Sequence, residues 1–263
     1  MIKKVFTIMK LPVLFSFLLL SSGLAWSAPG ADEILAASDL IRNPAQPFSV
    51  TVTLTEFQAG KQVDTSTLTS YSRTQQHGGQ FASLIRFVLP ARDAGKLMLK
   101  NGNDLWFYDP TNKASVRLSP QQRLLGQASN GDVATVNLAK DYKATLVGEE
   151  EIQDGERRKR KAHKLVLAAA SPDVTYASIE MWIDLENNRP LKARFFAESS
   201  RLLKTAYYRR FQPELGAERP TETVIIDGLD AQSVTLMRFS DYKARAIPET
   251  WMQRDFLPRF QPD

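Results

Sequence analysis

A series of short segments in which every second residue is apolar constrains the fold of this chain more than any other feature. The first covers residues 48–55, where Phe, Val and Leu alternate with Ser and Thr. A period of two is typical of a β-strand with one buried face and one solvated face. Further candidate strands cover residues 63–73, 81–89, 97–100, 104–108, 143–152, 161–169, 176–184, 191–197, 202–211, 221–227 and 233–242.

The connections between these segments are short and rich in turn residues, as at Gly78-Gly79, Asn101-Gly102 and Asp227-Gly228. Parallel neighbours need crossovers of about a dozen residues or more, so the strands are predicted to be antiparallel. A sheet with so many strands and one apolar face must curl or close. We therefore predict a mainly β protein, built on a single strongly curved antiparallel sheet that forms a half-barrel of about eleven strands.

Too few helices are predicted to cover both faces of such a sheet. They are expected over residues 31–43, 119–125, 132–138 and 249–256. The first is amphipathic and ends before Pro44. We expect these helices to close the half-barrel over an apolar cavity.

The second helix is predicted from its capping residues. Ser119 is placed as the N-cap, Pro120 as the first helical residue and Gly126 as the residue after the helix end. So short a helix is unstable alone in water, so Leu124 and Leu125 are expected to pack against something apolar.

The first 27 residues have the pattern of a secretory signal peptide. Three lysines accompany an apolar run over residues 11–20, and Ala25 and Ser27 place small residues at the cleavage site. The apolar run is shorter than the ~20 residues of a spanning helix, which favours a cleaved peptide over a retained anchor. The chain has no Cys for lipid attachment, so residues 28–263 are expected to form one soluble periplasmic domain.

The charge balance argues against a nucleic-acid-binding protein. Removal of residues 1–27 takes away three of the 34 Lys and Arg residues and none of the 29 Asp and Glu residues, which lowers the formal charge from +5 to +2. Binding to nucleic acid normally requires a clustered basic surface. We therefore expect no nucleic-acid partner.

No residue pattern in the sequence indicates catalysis. His77 and His163 lie far apart and have no second ligand type at metal-binding spacing, and Asp227 and Asp230 lie in a turn, where Asp is favoured for its local hydrogen bonds. There is also no nucleophile elbow, phosphate-binding glycine loop or Cys nucleophile. We expect a protein that is not an enzyme, with no catalytic residues, no metal and no cofactor.

The segment NGNDLWFYDP, residues 101–110, resembles a strand motif of the outer-membrane lipoprotein-sorting proteins, the LolA/LolB-like family. It is most similar to a longer branch of that family, found beside large lipid exporters. Residues 130–138 keep the Gly-Asp pair and the final Leu of that branch, but Val133 replaces an aromatic residue and Asn137 an acidic one. The resemblance implies a curved antiparallel sheet around an apolar cavity, with helices as its lid.

Several strands carry bulky apolar residues on both faces, so alternation alone does not show which face lines the cavity. One interpretation is a core on both sides of the sheet. The resemblance favours the other, in which one face is lined for a lipid. On that interpretation the candidate cavity and lid residues are Leu97, Leu99, Trp106, Tyr108, Leu124, Leu125, Val136, Leu138, Trp182 and Phe195.

A basic run over residues 157–161 has two interpretations. If Asp154-Gly155 is a two-residue hairpin turn, Glu151 faces Arg158 and the neighbouring acidic residues face Lys159 and Arg160. Opposite charges across a β-ladder stabilise it by about 0.2–1 kcal/mol each. This solvated ladder is favoured over a patch that docks to an anionic membrane or partner.

The function expected from these observations is that of a periplasmic carrier or chaperone, which binds a lipid or the acyl chains of a lipoprotein for transfer toward the outer membrane. An inner-membrane lipid exporter is the partner that the resemblance implies, and a monomer is the expected state. One alternative is a sensor of the same fold that binds lipid or peptide. Another is an outer-membrane β-barrel, which shares the signal peptide and the alternating strands.

The cleavage site gives a direct prediction. Cleavage after Ser27 leaves a mature chain that begins at Ala28, because cleavage one residue later would place Trp26 at the −3 position and Pro29 directly after the bond. The intact mass of protein released by osmotic shock measures this. A mass that includes the first 27 residues would show a retained anchor instead.

Overall fold

The computed structural model describes Met1 and residues 29–75, 79–102 and 104–262. Apart from Met1, the predicted signal peptide lies outside the described residues. Two α-helices are present in this part of the chain, α1 (Ala31–Arg42) and α2 (Leu138–Asp141). Short 3-10 helices cover Ala91–Asp93, Asn130–Val133, Glu249–Met252 and Arg254–Arg259.

The predicted mainly β class is confirmed. The strands are β1 (Phe48–Gln58), β2 (Lys61–Thr74), β3 (Phe81–Leu89), β4 (Leu97–Asn101), β5 (Asp104–Asp109), β6 (Ala114–Arg117), β7 (Arg123–Leu125), β8 (Ala128–Ser129), β9 (Tyr142–Gln153), β10 (Lys159–Ala169), β11 (Ser178–Asp184), β12 (Pro190–Phe196), β13 (Leu202–Glu214), β14 (Ala217–Asp227) and β15 (Ser233–Ala244). Among the described residues, thirteen of them form one antiparallel sheet in the order β6-β5-β4-β3-β2-β1-β15-β14-β13-β12-β11-β10-β9. The sheet is open between β6 and β9, and β7 and β8 pair separately.

The helix predicted over residues 119–125 is wrong. Ser119 does begin a turn, since its hydroxyl accepts a hydrogen bond from the amide of Gln121 at 3.3 Å, but the turn does not continue as a helix. Arg123–Leu125 instead pairs with Ala128–Ser129, and Gly126 turns the chain with a left-handed φ of +52°. Local capping cannot repay helix nucleation over so few residues, so strand pairing prevails.

The other helical predictions are correct in part. The helix α1 is confirmed, although Leu40 is exposed. Within residues 132–138, only 134–137 are extended, between the 3-10 helix that ends at Val133 and the single turn of α2 that begins at Leu138. The C-terminal helix consists of two 3-10 pieces. In neither region does the sequence contain an uninterrupted run of strong helix formers.

The predicted register of the β9-β10 hairpin is wrong by three residues, because Lys161 rather than Arg158 pairs with Glu151. The turn is longer than two residues. The Asp154 carboxylate accepts hydrogen bonds from the amides of Glu156 and Arg158 at 2.8 and 2.9 Å, and Arg157 has a left-handed φ of +61°. Such Asx hydrogen bonds favour a wider turn. Opposite charges still meet across this hairpin, since Lys159 forms an exposed ion pair of 2.8 Å with Glu151, but this is not one of the predicted pairs.

Apolar side chains collect on both faces of the sheet. The larger cluster lies between one face, α1 and the connection from β6 to β9, which we call the 118–141 segment. A smaller cluster lies on the other face of β2 to β5, where the C-terminal residues Ile247, Trp251, Met252 and Leu257 cover it. The first face contains the cavity described next.

Candidate functional site

A cavity of about 150 Å³ lies between the sheet and the 118–141 segment. Its sheet wall is apolar over most of its area and includes Phe48, Val50, Ile179, Phe195, Ala206 and Ile225. Residues 131–136 and Leu138 form the opposite wall. About a third of the lining is polar. The charged residues among it are Arg42, Asp132, Asp141 and Lys204, and several Tyr, Thr and Ser residues add hydroxyl groups.

The sheet bends around this cavity. Phe48 in β1 and Tyr142 at the start of β9 both line it, although seven strand spacings separate β1 from β9. In a flat sheet those strands would be about 34 Å apart, at about 4.8 Å per spacing. The concave face is therefore the one on which Phe48, Ala206 and Ile225 lie.

A buried ion pair joins the 118–141 segment to the sheet. The Lys204 ammonium, on β13, binds the Asp132 carboxylate and donates a hydrogen bond to the Gln127 carbonyl at 3.0 Å. Lys204 also lies over the rings of Tyr176 and Phe195, at 4.9 and 5.6 Å from their centroids. Burial lowers the pKa of Lys204, and the Asp132 carboxylate opposes that shift. The charge is thus compensated within the protein, as a buried cation requires.

Asp132 has further partners that fix its position. Its carboxylate accepts hydrogen bonds from the Tyr176 hydroxyl and the Ser129 amide, both at 2.7 Å. Tyr142 extends the network, because its hydroxyl donates to the Tyr176 carbonyl at 3.1 Å. Burial, followed by the nearby Asp132 charge, raises the pKa of Tyr176 well above its usual value. Tyr176 therefore remains a hydrogen-bond donor at neutral pH.

The other end of the 118–141 segment is held by amide and guanidinium groups. Arg42 and Asn43, at the end of α1, each donate to the Val136 carbonyl at 2.8 Å. Gln80 accepts from the Asn137 amide at 2.7 Å and donates to the Asn137 carbonyl at 2.9 Å. These bonds satisfy the backbone of a stretch that has no regular structure of its own.

The helix α1 is itself attached through buried polar groups. The Asp39 carboxylate accepts a hydrogen bond from the Ala139 amide at 2.8 Å, and burial raises the pKa of Asp39 despite the nearby Arg42. Arg219 donates to the Leu40 and Ile41 carbonyls at 2.9 and 2.8 Å. A cation at these carbonyls satisfies groups that the helix end leaves unpaired.

The structure brings together three of the ten predicted site residues. Val136, Leu138 and Phe195 line the cavity. Leu124 and Leu125 are half-buried beside the main core but do not line the cavity.

The remaining five lie on the convex face. Leu97, Leu99, Trp106 and Tyr108 belong to the cluster that the C-terminal residues cover, and Trp182 lies in a small cluster with Ala162 and Leu191. Consecutive strand residues point to opposite faces, so a strand that is bulky on both sides does not reveal which side curves inward.

Sequence reasoning missed Lys204, Tyr176 and Tyr208 as cavity residues. A signal existed for Lys204, which alternates with Ala206 and Tyr208 on a strand otherwise predicted to bury that face. A Lys at an inward position requires a buried acidic partner. That partner, Asp132, is 72 residues away in sequence, so the pair could not be identified from spacing.

The fold and sequence of this chain are similar to those of known proteins. A family model, described only as an uncharacterized protein, matches residues 79–259. A LolA superfamily protein from Nitrosomonas europaea is 33% identical, and its crystal structure superposes with a TM-score of 0.78 over 87% of this chain and 100% of that one. This chain belongs to the LolA superfamily.

Two more solved structures share the LolA superfamily fold of this chain at lower identity. A DUF1329 family protein from Desulfovibrio piger is 20% identical, with a TM-score of 0.73 over 86% of this chain and 97% of that one. A domain from Vibrio parahaemolyticus, assigned to the outer membrane lipoprotein-sorting proteins, is 18% identical, with a TM-score of 0.73 over 87% and 98%. Curated protein sequences give no match.

The described residues contain no cluster of metal-binding side chains and no membrane-spanning helix. Among them, no group of three or more His, Cys, Asp or Glu side chains lies close enough to hold a metal ion. In the same part of this LolA superfamily chain, every helix is too short or too polar to cross a membrane.

The contact between the 118–141 segment and the 170–177 loop predicts a steric effect at Gly131. A Cβ there would lie 2.4 Å from Thr175 Oγ1 and 2.8 Å from its Cγ2, so Gly131→Ala should destabilise the protein by about 1–3 kcal/mol. Urea unfolding measures the loss. Gly148→Ala is the matched control, since a Cβ there meets nothing within 4 Å and should change stability by less than about 0.5 kcal/mol. Adding Thr175→Ala should restore most of the loss, and a double variant as unstable as Gly131→Ala would contradict this steric explanation.

The buried ion pair gives a second prediction. Lys204→Met leaves Asp132 without its countercharge and should destabilise the protein by about 3 kcal/mol, because an unpaired charge is costly in the interior. Asp132→Asn combined with Lys204→Met should recover much of this, since the Asn oxygen still accepts from the Ser129 amide. The Asn amide nitrogen can donate to the Tyr176 hydroxyl, which can itself donate to the Ser129 hydroxyl. The free energies of unfolding of the two single variants and the double variant test this, and additive losses would contradict the coupling.

Proposed function

We propose that this protein is a carrier that binds a lipid, or the acyl chains of a lipoprotein, in the cavity between the sheet and the 118–141 segment. The observation that carries the proposal is a largely apolar concave wall that leaves an open volume of about 150 Å³. Close-packed protein interiors rarely leave voids larger than a water molecule, so an apolar space of this size calls for an occupant. Membership of the LolA superfamily supports the same function.

On this proposal the sheet is a half-barrel and the 118–141 segment is its lid. The cavity is partly open to solvent, and its volume matches that of a cavity able to hold one benzene ring. A whole acyl chain needs more room than this, so on this proposal it enters fully only when the lid moves. The lid suits that role because its regular structure is limited to single turns and a two-stranded pair, and side-chain hydrogen bonds hold it at both ends. Segments with few backbone bonds of their own open at low cost.

Binding of this kind would be strong enough to hold an acyl chain and weak enough to release it. An acyl chain of about 16 carbons gains roughly 12 kcal/mol when buried, at ~0.8 kcal/mol per CH₂. Several kcal/mol are lost to association and ordering. The remaining affinity holds the cargo in water and still allows its release to an acceptor.

The proposal includes a location and a mode of action. The carrier is a monomer that works in the periplasm after cleavage of its signal peptide. It acts by binding rather than catalysis, and it takes its cargo from an inner-membrane lipid exporter. The resemblance of residues 101–110 to the family motif supports the exporter as donor. Transfer is directed to the outer membrane.

A space-filling substitution tests the cavity. Ala206 is buried on β13 and lines the cavity, whereas its neighbour Thr205 lies on the opposite face. We expect Ala206→Phe to weaken binding of a fluorescent fatty acid at least about tenfold, while the free energy of unfolding falls by less than about 1 kcal/mol, below the usual cost of overpacking. Thr205→Phe adds the same side chain to the convex face and should leave binding within about twofold, consistent with a surface substitution.

Two results together would refute the carrier function. If the unmutated protein binds no fluorescent fatty acid, and Ala206→Phe is destabilised by the full cost of overpacking, about 1–3 kcal/mol, the space is ordinary core. Binding of equal strength in both variants would place the ligand elsewhere.

A further inference from the structure

The convex face carries an arginine cluster that the cavity does not explain. Arg209, Glu222 and Arg238 lie directly opposite one another on β13, β14 and β15. Both arginines bind the Glu222 carboxylate through Nε, Arg238 at 2.9 Å. Arg210 Nε also lies 3.4 Å from this carboxylate, which is almost fully buried. One carboxylate thus meets three guanidinium groups, and the cluster has a net charge of +2.

The backbone is shaped to bring the third arginine in. Consecutive residues of a regular strand face opposite sides, so Arg209 and Arg210 should not both reach Glu222. Arg210 has a left-handed φ of +54°, a conformation rare for a bulky residue, and this turns its side chain to the convex face. Neutralising Glu222 needs only one arginine. The other two positive charges therefore remain available to a ligand.

The donor groups of these arginines are also available. In the described part of the chain, Glu222 is the only side chain that pairs with the guanidinium groups of Arg209, Arg210 and Arg238, and each of them approaches it through Nε. The side chains of Arg210 and Arg238 are each 59% exposed. A guanidinium held by Nε presents its fork outward, in the geometry that binds phosphate oxygens in pairs.

The tip of the β9-β10 hairpin adds to the cluster. A Cβ on Gly155 would lie 3.1 Å from Arg209 Cβ, and the Arg210 amide donates to Glu156 at 3.3 Å. These contacts place the hairpin tip, which carries the acidic Glu156 and then Arg157, beside the cluster. Among the described residues the Arg157 side chain has no polar partner, and its backbone is also left-handed. The basic run that local reasoning treated as a solvated ladder thus extends an arginine surface from another part of the sheet.

The neighbouring row of side chains is cationic, aromatic and aliphatic. Lys164 and Lys192 lie over the Trp182 ring at 5.2 and 4.8 Å, and Glu150 pairs with Lys164 at 3.2 Å, so within the described residues Lys192 carries the unpaired charge of this group. The row continues across β13, β14 and β15 with Tyr207, Val224 and Leu236. Tyr207, Val224 and Leu236 are half-buried on this face. Arginines beside amphipathic aromatic residues and aliphatic side chains match the headgroup region of a bilayer.

We propose that this convex surface, centred on Arg209, Arg210 and Arg238, docks the protein on membranes by binding the phosphate groups of anionic phospholipids. The surface lies in the middle of a sheet, where backbone groups are paired, so a peptide cannot add as a strand. Phosphates spread over a surface suit a row of outward guanidinium groups. The docking surface is on the face opposite the cavity, so the two sites act independently.

Co-sedimentation with vesicles tests the proposal. The unmutated protein should pellet with vesicles of equal parts phosphatidylcholine and phosphatidylglycerol, should not pellet with phosphatidylcholine alone, and should be released at about 0.5 M NaCl. The triple variant Arg157→Gln, Arg210→Gln, Arg238→Gln should lose at least about tenfold in affinity, since each basic residue near an anionic surface contributes. Arg209 still pairs with Glu222 in this variant, and urea unfolding verifies its fold.

The matched control removes three positive charges from the other end of the sheet, as Arg92→Gln, Lys113→Gln, Arg117→Gln. It should keep vesicle affinity within about twofold if position rather than net charge matters. An equal loss in both triples overturns the proposal. So does equal binding to both vesicle types, or binding to polyglutamate without binding to phosphatidylglycerol vesicles, which would indicate an acidic protein partner. A protein that takes up the fatty-acid probe but ignores vesicles refutes the docking surface and leaves the carrier function intact.

Discussion

The two-residue repeat of the strands assigns every side chain of this sheet to one of two faces, and the other features of the molecule depend on that division. On β13, Lys204, Ala206 and Tyr208 face the cavity, while Tyr207 and Arg209 face outward. A shift of one residue in register would exchange the two sets. The long ladders of β13 with β14 and of β1 with β15, the second interrupted by one irregularity between Ser49 and Thr51, make such a shift costly, so both surfaces are defined together.

A curved sheet of this kind leaves a hollow, and the 118–141 segment closes it without forming a stable element of its own. Its position depends on polar contacts with distant residues: Lys204 and Tyr176 at one end, Gln80 and Asn43 at the other. Buried polar bonds are directional, so they specify one closed arrangement, but each is worth little net energy. That combination gives a well-defined closed state that can open, which is what the proposed carrier requires.

The outer face has a different chemistry. Arg209 and Arg238 lie on both sides of the buried Glu222. The left-handed backbone at Arg210 brings a third guanidinium group to the same carboxylate, so positive charge is in excess. A left-handed backbone conformation costs energy at a bulky residue, and it persists where the surrounding structure imposes it. A carrier that exchanges lipid must meet a membrane or a membrane protein, so a cationic outer face complements an apolar inner cavity.

Local patterns in the sequence were enough to predict the class, α1 and every strand of the main sheet except the short β6, because alternation, turn residues and amphipathic period are local properties. The sheet therefore has more strands than the eleven or so that were predicted. Even where local signals were strong, tertiary structure decided three points. Within the predicted helix 119–125, Arg123–Leu125 pairs as a strand after a turn, since so short a helix cannot repay its nucleation. The β9-β10 register follows from Asp154 hydrogen bonds within a wider turn. The inward face of each strand depends on where α1, the 118–141 segment and the C-terminal residues pack. These contacts join residues far apart in sequence, such as Asp132 with Lys204 and Tyr71 with Trp251, so only the folded chain places Phe195 inside and Trp106 outside.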